Sequence, residues 1–259
     1  MDGFFEISKL SLIFLCFLVF VAGFVDASAG GGGLISLPAY FFTGMPAHLA
    51  LGCNKFSGFC GGVFSVMKFW RGGAVRLRAA LVAAAGSSIG SVGGSMTALV
   101  LPEHVIKTMV LTILPCAAAI ILLKREMGDE DRSRSLGRDK ADALSLAIGL
   151  LIGFYDGVFG PGTGTFAIMA FSALMGFDLR TASGNAKILN LASNAASAIT
   201  FAAAGNILYG VALPAALCGI AGNFAGAHMA LTKGSKFIRP MMLCVLALLM
   251  LKILWDLLS

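Results

Sequence analysis

The chain repeats itself, and the repeat limits its possible architectures more than any other feature. Gly44 returns as Gly176, Ala50 as Ala182, Gly52 as Gly184, Lys55 as Lys187, Phe69 as Phe201, Gly73 as Gly205, Gly90 as Gly222 and Gly94 as Gly226. Every pair is 132 residues apart, as 187 is from 55. Upstream, after a two-residue shift, Gly23, Phe24, Val25 and Asp26 return as Gly153, Phe154, Tyr155 and Asp156. A biased composition produces chance Ala and Leu matches, but not both lysines and a series of glycines in one register. The chain is therefore a duplication, with repeats at 1–123 and 141–259. The single long polar stretch, 124–140, joins them and reads as a solvated cytoplasmic loop.

The repeats belong in a bilayer. Hydrophobic residues make up 58% of the chain and charged ones 12%, against about 25% charged in a soluble domain. Apolar runs occupy 10–25, 48–67, 79–101, 105–123, 141–159, 163–177, 188–204, 208–231 and 237–258. Several approach the roughly 20 residues of a spanning helix, while those near 34–44 and 163–175 are short for a crossing. The expectation is an all-α integral membrane protein with about 8 to 10 membrane segments. The net charge of +6 is modest and its bases sit in connecting loops, so nucleic acid is not an expected partner. The cysteines form no CxxC pair, and neither a metal nor a cofactor is expected. Residues 10–25 followed by Ala27, Ser28 and Ala29 imitate a secretory signal, but the preceding flank has Asp2 and Glu6 against Lys9, and the segment recurs in mid-chain.

Basic residues orient the halves. Lys68, Arg71, Arg76 and Arg78 mark one loop of the first repeat, and Lys124, Arg125, Arg132, Arg134, Arg138 and Lys140 the connecting stretch. The counterpart of the first loop, near Gly205, has no Lys or Arg, whereas Lys233, Lys236 and Arg239 follow a segment whose first-half counterpart is nearly neutral. Because positive charge stays in the cytoplasm, this exchange predicts inverted-topology helical repeats with broken helices at the glycine-rich segments.

Chemistry is expected at those breaks. Gly30, Gly31, Gly32 and Gly33 precede one apolar segment, and Gly160, Pro161, Gly162, Thr163 and Gly164 precede its counterpart. Irregular backbone in a membrane is tolerated inside protein or around a water-filled cavity, and amides opening onto a helix attract anions. The expected binding residues are Gly31, Gly32, Gly33, Gly162, Thr163 and Gly164, with Asn54, Lys55, Asn185, Lys187 and Asn190. A lysine facing lipid at mid-depth costs about 2.5–3.5 kcal/mol on insertion scales. A cavity explains the matched pair, Lys55 and Lys187, although snorkelling to the interface also would. Asp26 and Asp156 fit two roles, proton carriage or capping of the amides that follow. Gly90, Gly94, Gly222 and Gly226 read as close helix packing.

The aspartate with its glycine-rich break, the Gly44 and Gly176 turns, and the stretches from Ala50 to Lys55 and Ala182 to Lys187 resemble the TauE/SafE family of sulfite exporter-like permeases. The resemblance extends from about Leu10 to Leu257. It implies a multi-pass secondary transporter of the plasma (inner) membrane for sulfite, thiosulfate, sulfoacetate or another small organosulfonate. Pro161 and Thr163 depart from a glycine-richer pattern, which points to unequal half-sites. Two other functions compete: a channel for small solutes, and an intramembrane aspartyl protease. The protease reading is opposed by the absence of a Gly-x-Gly-Asp motif.

Overall fold

The computed structural model describes residues 7–105, 108, 137–234, 236–238, 240–241 and 244. Most of the apolar runs at 105–123 and 237–258, and most of the connecting loop, lie outside the described residues. Among the described residues all regular structure is helical, most of it in eight helices. The first half contains α1 (Lys9–Ala29), α2 (Gly33–Phe42), α3 (Ala47–Arg71) and α4 (Leu77–Val100). The second half contains α5 (Arg138–Val158), α6 (Thr163–Met175), α7 (Leu179–Ala203) and α8 (Tyr209–Lys233).

Local sequence sets the ends. Ser8 caps α1 through its hydroxyl, and Asp178 caps α7 by accepting from the amides of Arg180 and Thr181 at 3.0 Å. That cap starts α7 well before the apolar run at 188. Helix α5 likewise begins inside the stretch expected as loop. Arg138, Asp139 and Lys140 are helical, with Gly137 as the cap residue and Asp139 favourably placed near the positive helix end. Glycines with positive φ, Gly30, Gly160 and Gly162, turn the chain at both breaks.

Four helices, α1, α4, α5 and α8, are long and apolar enough to cross a membrane. They present Phe14, Phe17, Leu81, Ile89, Leu151, Leu217 and Phe224 outward. Helices α3 and α7, as long but more polar, bury Lys55, Asn54, Lys187 and Asn194. In lipid such side chains are stable only where protein surrounds them.

Glycines bring the helices into contact. A Cβ at Gly90 would lie 2.2 Å from the Leu150 carbonyl oxygen, and one at Gly222 would lie 2.0 Å from that of Phe20. No side chain fits there, so the expected packing role is directly visible. The same contacts give helix directions. Gly222 against Phe20 and Gly226 against Phe24 make α1 and α8 parallel, and Gly90 against Leu150 and Gly94 against Phe154 make α4 and α5 parallel. Cys53 with Leu208 and Gly72 with Leu231 align α3 with α8. Ser87 with Leu189 and Ser95 with Ser197 align α4 with α7. Between α3 and α7 the order reverses: Gly52 meets Phe201, whereas Gly62 meets Leu191. Helices α1, α3 and α8 thus run one way, and α4, α5 and α7 the other.

Candidate functional site

The two broken segments cross at the centre of the molecule. After Ala29 the chain doubles back, so that a Cβ on Gly32 would lie 2.4 Å from the Ala22 carbonyl oxygen and from Asp26 Cβ. A Cβ on Gly30 would lie 2.2 Å from the Gly164 backbone. Thr165 joins the breaks, its amide donating to the Gly30 carbonyl at 3.2 Å and its hydroxyl to that of Ala29 at 2.8 Å. Glycine is therefore required at the crossing for steric reasons, whatever the amides bind. Ala27, Ser28 and Ala29, the signal-like triplet, are buried at this crossing.

Beside the crossing lies a cavity between the halves. Of the residues expected from sequence, Gly32, Gly33, Asn54, Lys55, Gly164, Asn190, Asp26 and Asp156 line it. Gly31, Gly162, Thr163, Asn185 and Lys187 are not in its wall. The Thr163 hydroxyl donates to the Gly160 carbonyl at 2.7 Å, and its amide bonds the same oxygen. Gly162 forms the left-handed turn before α6. Asn185 accepts the Arg76 amide at 3.1 Å, at the start of α4. Its repeat-related position is occupied by Cys53, whose sulfur accepts the Leu208 amide at the start of α8.

The charged groups pair across the halves. Lys55 Nζ lies 2.9 Å from Asp156 Oδ1 and donates also to the Asp156 carbonyl. Lys187 Nζ lies 2.6 Å from Asp26 Oδ2, behind the cavity wall. Each lysine thus meets the aspartate of the other repeat. Both ammonium groups are fully buried, and an unpaired charge in such a place would cost several kcal/mol. Lipid-interface snorkelling does not describe them, since neither reaches the surface. Ser193 donates its hydroxyl to Asp156 Oδ2. Tyr155, next in sequence to Asp156, donates instead to the Pro161 carbonyl at 2.6 Å.

Ser193, Asn194, Asn223 and Ser57 complete the surroundings. Asn194 donates to the Asn190 carbonyl at 2.8 Å, and Ser57 accepts from the Tyr40 hydroxyl at 3.1 Å. A sequence signal for the α4 and α7 polar faces existed: Ser87, Ser91 and Ser95 recur every four residues, as do Ser193 and Ser197. Ser91, Ser95 and Ser197 form a buried hydroxyl cluster, with Ser91 to Ser197 at 2.6 Å and Ser95 to Ser197 at 2.8 Å. Asn223 shows no repeat partner in kind, because its counterpart is Ser91.

An apolar exterior around a buried, charge-paired cavity defines an integral membrane protein of the transporter class. The chain belongs to the sulfite exporter TauE/SafE family, whose pattern matches residues 15–253. It is 37% identical over 245 residues to the probable membrane transporter protein ORF9 of Sinorhizobium sp, covering 95% of this chain and 93% of that protein. It is 37% identical over 252 residues to a probable membrane transporter protein of Haemophilus influenzae, covering 95% and 96%. Against the probable membrane transporter protein YfcA of Escherichia coli K12 the identity is 33% over 255 residues, covering 98% and 94%. No solved structure matches the chain.

Proposed function

We propose that this protein is a multi-pass secondary transporter of the inner membrane that moves a small sulfur-containing anion by alternating access. The substrate class follows the family name, and sulfite, thiosulfate and small organosulfonates are its candidates. The observation that carries the reading is the pair of lysine–aspartate bridges, Lys55 to Asp156 and Lys187 to Asp26, joining the halves beside one cavity. An anion entering there competes with the carboxylates for ammonium groups, so binding is linked to the contacts that hold the halves together.

The repeats are read as inverted. Helices α1, α3 and α4 each run opposite to their repeat-related partners α5, α7 and α8, and the basic loops exchange sides. A two-fold relation of this kind lets the outward-open and inward-open states arise by exchange of conformation between the halves, with the anion at the crossing in both. The binding residues on this reading are Gly32, Gly33, Gly164, Asn54, Asn190 and Lys55, with Lys187 acting through Asp26.

The test is flux through the purified full-length chain in liposomes. Labelled sulfite and methanesulfonate should enter with saturable kinetics and be accelerated by unlabelled anion on the opposite side. Linear, unaccelerated uptake would favour a channel, and absence of flux for every sulfur oxyanion and sulfonate would overturn the substrate class.

A further inference from the structure

The two ion pairs are related by the repeat, yet their surroundings differ in one consistent direction. Asp156 is 2% exposed and is held by Lys55 and by the Ser193 hydroxyl. Asp26 is 23% exposed, in the cavity wall, and is held by Lys187. The position 132 residues before Ser193 is Gly61, so Asp26 has no equivalent hydroxyl. The Asn223 amide occupies that place instead, with its Nδ2 2.4 Å from where a Cβ on Gly61 would lie. The breaks differ likewise. Within the second, the Thr163 and Tyr155 hydroxyls donate to the Gly160 and Pro161 carbonyls, whereas residues 30–33 are glycines with no side chains to make such bonds.

The formal charge of the cluster decides what this asymmetry does. Lys55 and Lys187 balance Asp26 and Asp156, so the cavity is neutral and presents a carboxylate to any entering anion. We infer that Asp26 is the carboxylate that takes up a proton when the anion binds, while Asp156, fixed by Ser193, stays ionised as a permanent counter-charge to Lys55. A proton arriving from the water that reaches the cavity converts the Asp26 carboxylate to a carboxyl group and leaves the cluster with one net positive charge. That charge matches a monoanion. The charged groups around Asp26 are Lys187 from α7, Lys55 from α3 and Asp156 from α5. Tyr40 of α2 is bonded to Ser57, and α6 and α8 bring Gly164, Thr165 and Asn223, which do not titrate. The Tyr155 hydroxyl, next in sequence to Asp156, offers that carboxylate no proton path, because it donates to the Pro161 carbonyl.

This inference rests on the anion-transport reading, and the experiment separates the two. Binding of methanesulfonate, a monoanion, and of thiosulfate, a dianion, to the purified full-length protein is measured by calorimetry between about pH 5 and pH 9, where neither probe changes charge, and the proton count is taken with methanesulfonate. Repeating it in buffers of different ionisation enthalpy counts the protons. The wild-type protein should take up one proton per anion, and affinity should fall as pH rises. Asp26→Asn should bind with an affinity that no longer depends on pH, and Asp156→Asn should keep the pH dependence. Wild-type binding without proton uptake, or a pH dependence that survives Asp26→Asn and vanishes in Asp156→Asn, would overturn the assignment while leaving anion transport intact. Absence of binding by any probe at any pH would remove the anion reading and this inference with it. Binding to the wild-type protein without proton uptake overturns the assignment even if a variant fails to fold.

Discussion

Replacing Lys55 by Met removes a charge without removing much volume, and the structure sets the size of the consequence. At 2.9 Å and an effective permittivity of about 20, the attraction between Lys55 and Asp156 is about 6 kcal/mol. Much of this is offset by the desolvation of two ions, each costing several kcal/mol. The single variant loses the attraction but keeps the desolvated carboxylate, so Lys55→Met should destabilise the protein by about 3–5 kcal/mol. Lys55→Met combined with Asp156→Asn leaves no buried net charge and should recover most of that loss. The Ser193 hydroxyl remains a partner for the Asn side chain. Lys187→Met should cost about 1–2 kcal/mol less than Lys55→Met, because Asp26 is part-exposed and water can screen it. Unfolding free energies in mixed detergent micelles, assembled into a double-mutant cycle, measure the coupling. Effects of Lys55→Met and Asp156→Asn that simply add, with coupling below about 0.5 kcal/mol, would refute the buried pair.

Two further outcomes follow from packing and direction. Gly90→Ala and Gly222→Ala should each lower thermal stability markedly, by about 2 kcal/mol or more, because their Cβ atoms would meet carbonyl oxygens at 2.2 Å and 2.0 Å. Gly93→Ala, whose nearest neighbour would be 3.7 Å away, should be close to neutral in the same thermal assay. If the repeats are inverted, Arg71→Cys and Ala203→Cys, repeat-related and exposed in a cysteine-free background, should react with an impermeant thiol reagent from opposite sides of the membrane. Same-side labelling of both would reject the inversion.

Much of the candidate site was legible because duplication marks it twice. Lys55 with Lys187 and Asp26 with Asp156 stood out as ionisable residues in apolar segments at matching positions, and charge in a membrane is too costly to be incidental. Their connection was not legible. Nothing in the register of 132 says that a lysine meets the aspartate of the other half rather than its own. The pairing arises only when α3 and α7 pack antiparallel and each reaches the opposite break. Asn185 illustrates the converse: it shares the polar neighbourhood of Lys187 in sequence, yet two residues along a helix turns it onto the Arg76 amide.

The sequence by itself determined the solvent and the elements. Long apolar runs require a bilayer, and glycine-rich stretches must interrupt helices, since both follow from the free energy of each segment alone. It also determined that there are two halves, because a repeat is a property of the chain. The tertiary structure decided which glycines serve close approach, which aspartate is the more exposed and which is held by Ser193. Those distinctions depend on what lies across a helix interface, between residues separated by a hundred positions or more. Two nearly identical sequence signals therefore acquired different environments only when Gly61 and Ser193 were set against their respective neighbours.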